Sequence, residues 1–335
     1  MVLQEFVKYP SAEVYIILAL VLAAMEWGIM TLSRRFLCGP CVTDRSLHRK
    51  FTPTGGGMVW VLAGIVAVCF FGDLHSITTW MFMGGIAVLG IVSYVDDLHP
   101  LPPVPRLIVQ TVVMLLTFKQ LWYPAAIDVF IIVLFCGVGI INAVNFLDGI
   151  CGMLALYGIV VTGSLLYAFY VYDVSAYTWL FMVLSMVLVA QVVFACFNLC
   201  DVIFSGDVGS ITLGYIQVFA AIVFALNTHD ASVMIFFSVC VFDVGLTTMH
   251  RLFLGESILK PHRSNIYQML TTEAKMPHVV VALIYSLLQL LINALYFLIP
   301  ETQHWTYFLI TCALLSVAYF AIRFSLKLEK KQETV

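Results

Sequence analysis

Four aspartates stand where apolar runs give way to polar ones. Asp96 and Asp97 lie in YVDDLHPLPP, Asp148 in NAVNFLDGICG and Asp207 in FSGDVGS. Carboxylates gathered in one place repel one another unless a cation joins them. A hard cation such as Mg²⁺ is held by one or two carboxylates together with substrate phosphates, and keeps several waters. In an adjacent pair, one acid can bind the ion while its neighbour takes a proton. Each aspartate alone also has a plain use as a helix cap, a turn residue or a boundary marker. All four at equivalent positions point instead to a shared site.

Partners for phosphate are present too. The glycine-rich turns TPTGGGM (52–58) and SGDVGS (205–210), the latter with Gly206 and Gly209, lead into apolar runs. Backbone N–H groups at such turns, with the positive end of a helix, suit an anion; a flexible hinge or close helix packing is the plain alternative for GGG. His48, Arg49, Lys50, His250, Arg251, His262 and Arg263 supply cationic donors, though basic residues beside spans also follow membrane topology alone. Asp243 lies within an apolar run, two helical turns before His250, and an ionisable group there is a functional candidate. Glu26 is likewise inside an apolar run, without a partner near it in sequence. Cys38 and Cys41 form a CxxC pair, but no strand–helix pattern surrounds them, so a turn is expected rather than a redox site.

These residues are strung along a membrane protein. Of 335 residues, 62% are hydrophobic and 10% charged, with a mean hydropathy of +1.02; soluble domains run at about 25% charged. A net charge of −3 gives no reason to expect nucleic-acid binding. Windows of about 20 apolar residues predict eleven spans, near 14–32, 56–72, 77–95, 106–123, 126–144, 152–172, 177–196, 210–227, 231–249, 278–298 and 305–324. The expected fold is an all-α polytopic bundle of 10–11 transmembrane helices forming one domain. The first run lacks a small-residue cleavage site, so it is expected to remain as an anchor.

Charge orients the bundle. Loops after odd-numbered spans, with the C-terminal tail, carry Arg34, Arg35, Arg45, Arg49, Lys50, Arg106, Arg251, Lys260, Arg263, Lys275, Arg323, Lys327, Lys330 and Lys331, against Lys8 and Lys119 elsewhere. By the positive-inside rule those loops and the C-terminus are cytoplasmic and the N-terminus is outside. The polar loops near 33–55, 95–105, 143–152, 197–210 and 250–277 then share one face, as a single site assembled from five loops requires.

The paired Asp closing the third span, NAVNFLDGICG, FNLCDVIFSGDVGSITLG and PHRSNIYQ resemble, in order and topology, the polyprenyl-phosphate N-acetylhexosamine-1-phosphate transferase superfamily. This includes phospho-N-acetylmuramoyl-pentapeptide translocases. RSLHRKFTPTGGG and PHRSNIYQ are most similar to the O-antigen-initiating branch. The resemblance covers about residues 44–270. It implies a bacterial inner-membrane enzyme that passes a sugar-1-phosphate from a UDP-N-acetylhexosamine to polyprenyl (undecaprenyl) phosphate, with Mg²⁺ (Mn²⁺ as the substitute), releasing UMP and starting a lipid-linked glycan. It further implies that Asp96 and Asp97 serve the acceptor phosphate as base or metal neighbour, and that Asp207 is a metal ligand. Asn145 and Asp148 would line the nucleotide–metal site, with Asn198 before the GDxGS loop. His262 and Arg263, followed by Tyr267 and Gln268, would meet the diphosphate and sugar. Lys50, Gly206 and Gly209 complete the expected substrate contacts, and a homodimer is compatible with all of this.

Three departures bear on nucleotide binding and donor choice. Cys151 stands where many relatives have a second Asp in DGxDG. Asn265 replaces the last His of HRSH. Pro100 follows the paired Asp where DDxxK would place a lysine near. Rival classes are a proton-coupled carrier and a non-catalytic lipid-binding subunit. The polar clusters are one-sided and no internal repeat is visible, against the first; the four aspartates are all retained, against the second.

Overall fold

The computed structural model describes residues 10–35, 52–121, 127–257 and 263–333. The runs form helices α1 (Ala12–Arg35), α2 (Met58–Phe71), α3 (Ile77–Leu98), α4 (Pro103–Leu121), α5 (Ile127–Leu147), α6 (Met153–Val171), α7 (Thr178–Asn198), α8 (Gly206–Thr228), α9 (Ser238–Phe253), a short α10 (Ile266–Thr272), α11 (His278–Leu298) and α12 (His304–Glu333). A 3₁₀ segment, Ala231–Phe237, leads into α9. Every predicted span is a helix, and the all-α membrane bundle stands. Among the described residues nine helical stretches are long and apolar enough to cross a bilayer. The other two predicted spans are α2 and α4. With 14 residues, α2 reaches about 21 Å at 1.5 Å per residue, short of a hydrocarbon core of about 30 Å. α4 carries Arg106, Gln110, Lys119 and Gln120.

α8 is the axis of the molecule. Its most apolar stretch is 94% buried, against 17% for α1, because it packs against α2, α3, α5 and α6 at once. A helix buried on all sides has no polar face to spare, and α8 is accordingly apolar or small around its circumference, from Val208 to Phe224. Its polar groups bond across to neighbours. Gln217 Nε2 donates to Gly158 O at 3.1 Å and Thr162 Oγ1 at 2.9 Å, and the Tyr215 hydroxyl lies 2.9 Å from Thr117 Oγ1. Such interhelical bonds are the natural recourse of polar groups that find no water. Around this axis α1 lies on α7, α4 between α3 and α5, α11 on α6, and α12 on α9.

Glycine sets the closest approaches. Before α2, Gly56 N donates to Phe204 O at 2.9 Å and Gly57 N to Ser205 O at 3.0 Å, while Phe204 N donates to Pro53 O at 2.8 Å. The GGG turn thus lies along the segment that opens α8, and its amides are spent on that segment. A Cβ on Gly57 would fall on the Gly209 backbone, and Trp60 Nε1 donates to Gly209 O at 3.1 Å across the same seam. TPTGGGM is therefore a packing seam, which corrects the expectation of a second phosphate cradle.

Substituting Gly57 with alanine forces this seam apart, at about 1–3 kcal/mol for overpacking. Gly163, within α6, has open space where its Cβ would be. In thermal melts of detergent-solubilised protein, G57A should unfold well below wild type and G163A at or above it.

Candidate active site

The geometry of the site begins with proline. Pro100 cannot continue α3, and His99 before it is extended (φ −138°, ψ 100°), as residues preceding proline prefer. Pro103 opens α4, where its missing N–H and fixed φ cost nothing. The turn between them closes when Leu101 N donates to Asp96 Oδ1 at 2.6 Å. It also returns Arg106, on the first turn of α4, to the last turn of α3. There Arg106 Nη1 pairs with Asp96 Oδ2, and also with Asp207 Oδ2 at 2.6 Å.

α3 runs to Leu98, past the predicted end at 95, so both aspartates lie on its last turn. Asp97 points at the start of α8. Its Oδ1 accepts from Asp207 N at 2.9 Å and its Oδ2 from Val208 N at 3.1 Å. These amides have no partner within the helix, and the positive helix end favours an anion. The anion drawn there is Asp97 itself, so these two amides are taken. The span predicted from 210 begins earlier, at Gly206, so Asp207 sits within the first turn of α8, with Asp97 on its amides. Gly206 has φ +72°, and a Cβ there would lie 2.5 Å from Asp97 Oδ2. No other residue allows the carboxylate this close.

α5 continues to Leu147 and carries Asn145 inward. Asn145 Nδ2 lies 2.9 Å from Asp207 Oδ1 and 2.8 Å from Ser210 Oγ. In the turn that follows, Asp148 Oδ2 accepts from the Ser205 hydroxyl. Burial pushes the Asp148 carboxyl up to about 7, with the Ser205 bond opposing and the nearby Asp207 charge reinforcing. Asn198 is 3% exposed; its Oδ1 accepts from Gly152 N at 2.8 Å and its Nδ2 donates to Ile203 O at 2.9 Å. It clasps two loops behind the carboxylates, with both ends of its amide committed. Cys151 Sγ lies 2.8 Å from Asn198 O, and burial, reinforced by the Asp201 charge, pushes this thiol up to about 11, keeping it protonated.

The structure thus draws Asp96, Asp97, Asp148, Asp207, Asn145 and Gly206 together, while Gly209 lies in the seam with Gly57 and Trp60. Arg263 is exposed just ahead of α10. Lys50 and His262 lie outside the described residues, as do His48, Arg49, Cys38 and Cys41. Arg251, read as a phosphate donor, directs Nε to Glu256 Oε2 and Nη2 to Ser257 O, both at 2.8 Å. The sequence offers Arg106 only as a topology charge; the proline-bound turn between it and Asp96, ten residues earlier, is the signal for its return. A small cleft between α3, α4 and α8 is lined by Leu89, Ser93, Arg106, Gln110, Asp207 and Ile211.

Part of the chain is similar to known proteins. Residues 79–225 match Glycosyl transferase family 4, a stretch holding all four aspartates, Arg106 and Asn145. The phospho-N-acetylmuramoyl-pentapeptide-transferase of Streptococcus gordonii is 32% identical over 190 residues, 49% of this chain and 57% of that one. Its counterpart in Vesicomyosocius okutanii is 26% identical over 213 residues, 51% and 59% of the two chains. The probable undecaprenyl-phosphate N-acetylglucosaminyl 1-phosphate transferase of Bacillus subtilis is 28% identical over 257 residues, 68% of each. The chain spans less than two thirds of the length of the first two. These relatives are bacterial, and together with the long apolar helices they support a multi-pass protein of the bacterial inner membrane.

A raised Asp148 pKa means the folded protein holds a proton more tightly than the unfolded chain. Its contribution to stability therefore declines as pH rises from the ordinary carboxylate range through about 7. In metal-free buffer, the advantage in melting temperature of D148N over wild type should grow across that interval and level off above it.

Proposed function

We propose that this chain transfers an N-acetylhexosamine-type sugar-1-phosphate from a UDP-sugar to polyprenyl phosphate, releasing UMP. The observation that carries the reading is the convergence of Asp97, Asp148 and Asp207 with Arg106 and Asn145 at one end of a membrane bundle. A lipid phosphate at the bilayer surface and a water-soluble donor can meet at such a place. The cleft beside Arg106 has both polar and apolar lining, and the adjoining α4 residues Leu107 and Ile108 are exposed where lipid would lie. The distribution of basic residues supports a cytoplasmic site, with the C-terminus on the same side and the N-terminus outside.

The donor set suits Mg²⁺. Among the described residues no three acidic, histidine or cysteine side chains form a closed metal cage. Asp207 and Asp148 offer hard oxygens in an open arrangement, and Mg²⁺ characteristically completes its shell with phosphate and water. The buried, proton-holding Asp148 and its acidic neighbours are what a dication would relieve. When bound, the ion would neutralise charge on the diphosphate.

The protein's own part is positional, as phosphoryl transfer requires. An acceptor phosphate oxygen attacks the donor's β-phosphorus; that O–P bond forms as the bond from β-phosphorus to the bridging oxygen breaks, and UMP leaves with that oxygen. Asp96 and Asp97 stand beside the acceptor's path, where Asp96 holds Arg106 toward Asp207 and Asp97 fixes the start of α8. Arg106 supplies a guanidinium to draw in the phosphate. Asn145 orients Asp207. The family relatives and the PHRSNIYQ segment support a donor of the N-acetylhexosamine class and a place at the start of O-antigen or other envelope-glycan assembly.

Purified protein given undecaprenyl phosphate, Mg²⁺ and a panel of UDP-N-acetylhexosamines should release UMP with one donor. D97N and D207N should lose more than about 100-fold of that rate, the scale of a lost transition-state contact, while remaining inserted and folded. Near-normal rates in both would remove the site assignment.

A further inference from the structure

The reaction as proposed makes no use of Asp243, a carboxylate within α9 that is only 5% exposed. Three donors meet it. Ile266 N lies 2.7 Å from Oδ1, and Tyr267 N (3.2 Å) and the Tyr285 hydroxyl (2.7 Å) reach Oδ2. The two amides open α10, whose seven residues are too few to persist as an isolated helix. Asp243 pins them to α9. On the other side of the arm, Arg323 of α12 donates to Ser264 O at 2.9 Å.

Tyr267 then reaches from α10 back to the acidic turn. Its hydroxyl donates to Phe146 O at 2.6 Å, and a Cβ on Gly149 would overlap that hydroxyl. Phe146 and Gly149 bracket the Leu147–Asp148 step, with Asn145 just before. Burial above all, then the Asp243 and Asp148 charges, hold the phenol well above its usual range, so the hydroxyl remains a donor. The turn with Asp148 is supported by Ser205 from one side and by Tyr267 from the other.

We infer that Asp243 and Tyr267 are positioning residues that lock the basic arm entering α10, beginning at Arg263, to the Asn145–Asp148 turn. The two walls of the donor site then move as one unit, and the site is set before the nucleotide-sugar arrives. Groups that orient metal or substrate ligands from behind typically govern affinity by about 10–100-fold. This inference rests on the transferase reading for its effect on activity, but the mechanical link itself does not.

The test uses the full chain in detergent with Y267F, which removes only the hydroxyl, and D243N. Hydrogen exchange without ligands reads the link directly: amides of 145–152 should exchange faster in Y267F than in wild type, with the melting temperature little changed. Unchanged exchange there overturns the inference, whatever the activity. In the UMP assay, Y267F should raise the donor KM or the Mg²⁺ needed for half-maximal rate by about tenfold, with a smaller change in kcat. Wild-type values for both, or a loss that merely follows the folded fraction, also overturn it. If D243N fails to fold, Y267F alone decides. No UMP from wild type beside faster exchange in Y267F would count against the transferase reading and leave the link standing.

Discussion

The bond pair from the Asp97 carboxylate to the first amides of α8 is the constraint on which the site depends. α8 is the most enclosed helix of the bundle, and its positive end emerges at the membrane face among acids. An uncapped end would leave amide groups unsatisfied in a place with little water, at about 1–3 kcal/mol each. Asp97 satisfies two of them and, in doing so, fixes the distance between α3 and α8. Asp207 is thereby turned toward Arg106 and Asn145. Gly206 is the steric condition for this contact, and the prolines after α3 are the condition for Arg106 to join it. Capping, chain reversal and charge compensation are one arrangement seen from three helices.

A second principle is the treatment of charge. Four carboxylates and a guanidinium in a partly buried cluster would be poorly tolerated if any stood alone. Each is instead tied to a donor: Asp96 to Arg106 and Leu101 N, Asp97 to two amides, Asp148 to Ser205, and Asp207 to Arg106 and Asn145. Acid still exceeds base. The donors nonetheless hold the geometry of the cluster. At the opposite end of the bundle Asp230 shows the complete version: it takes Ser232, Tyr296 and His304 on its two oxygens, and those bonds hold its carboxyl below the usual range despite burial. Asp148, with the single Ser205 donor, is held above it.

Much of this was legible in the chain. Apolar length located eleven of the helices among the described residues, because a bilayer demands about 20 residues per crossing and internal satisfaction of every backbone group. It misplaced their polar ends, since a helix continues past the last apolar residue as long as its bonds are satisfied; Asp97, Asn145 and Asp207 all lie on such extensions. The acids were visible by type and position. Their partners were not: Arg106 looked like a topology charge, and GGG looked like an anion cradle, because pairing across helices leaves no local spacing to read. Asp243 announced itself by being charged in an apolar run, yet its partners, the amides of α10, could come only from the fold.

The family departures acquire a physical reading from the same geometry. Position 151 faces the Asn198 carbonyl at hydrogen-bonding distance. A carboxylate there would set oxygen against oxygen in a buried place, whereas a protonated thiol can donate, and burial with the Asp201 charge keeps it protonated. The exchange of acid for thiol also keeps a fifth carboxyl out of a cluster that already holds four. Position 265 is the residue before α10, extended at φ −66° and ψ 149°, where asparagine is among the favoured helix caps. Its backbone N–H lies 3.3 Å from Gln268 Oε1, so Asn265 and Gln268 close the start of the helix that Asp243 anchors. Each departure thus suits the backbone it rests on. The candidate site thus combines a neutral clasp behind four carboxylates with an asparagine at the start of the arm.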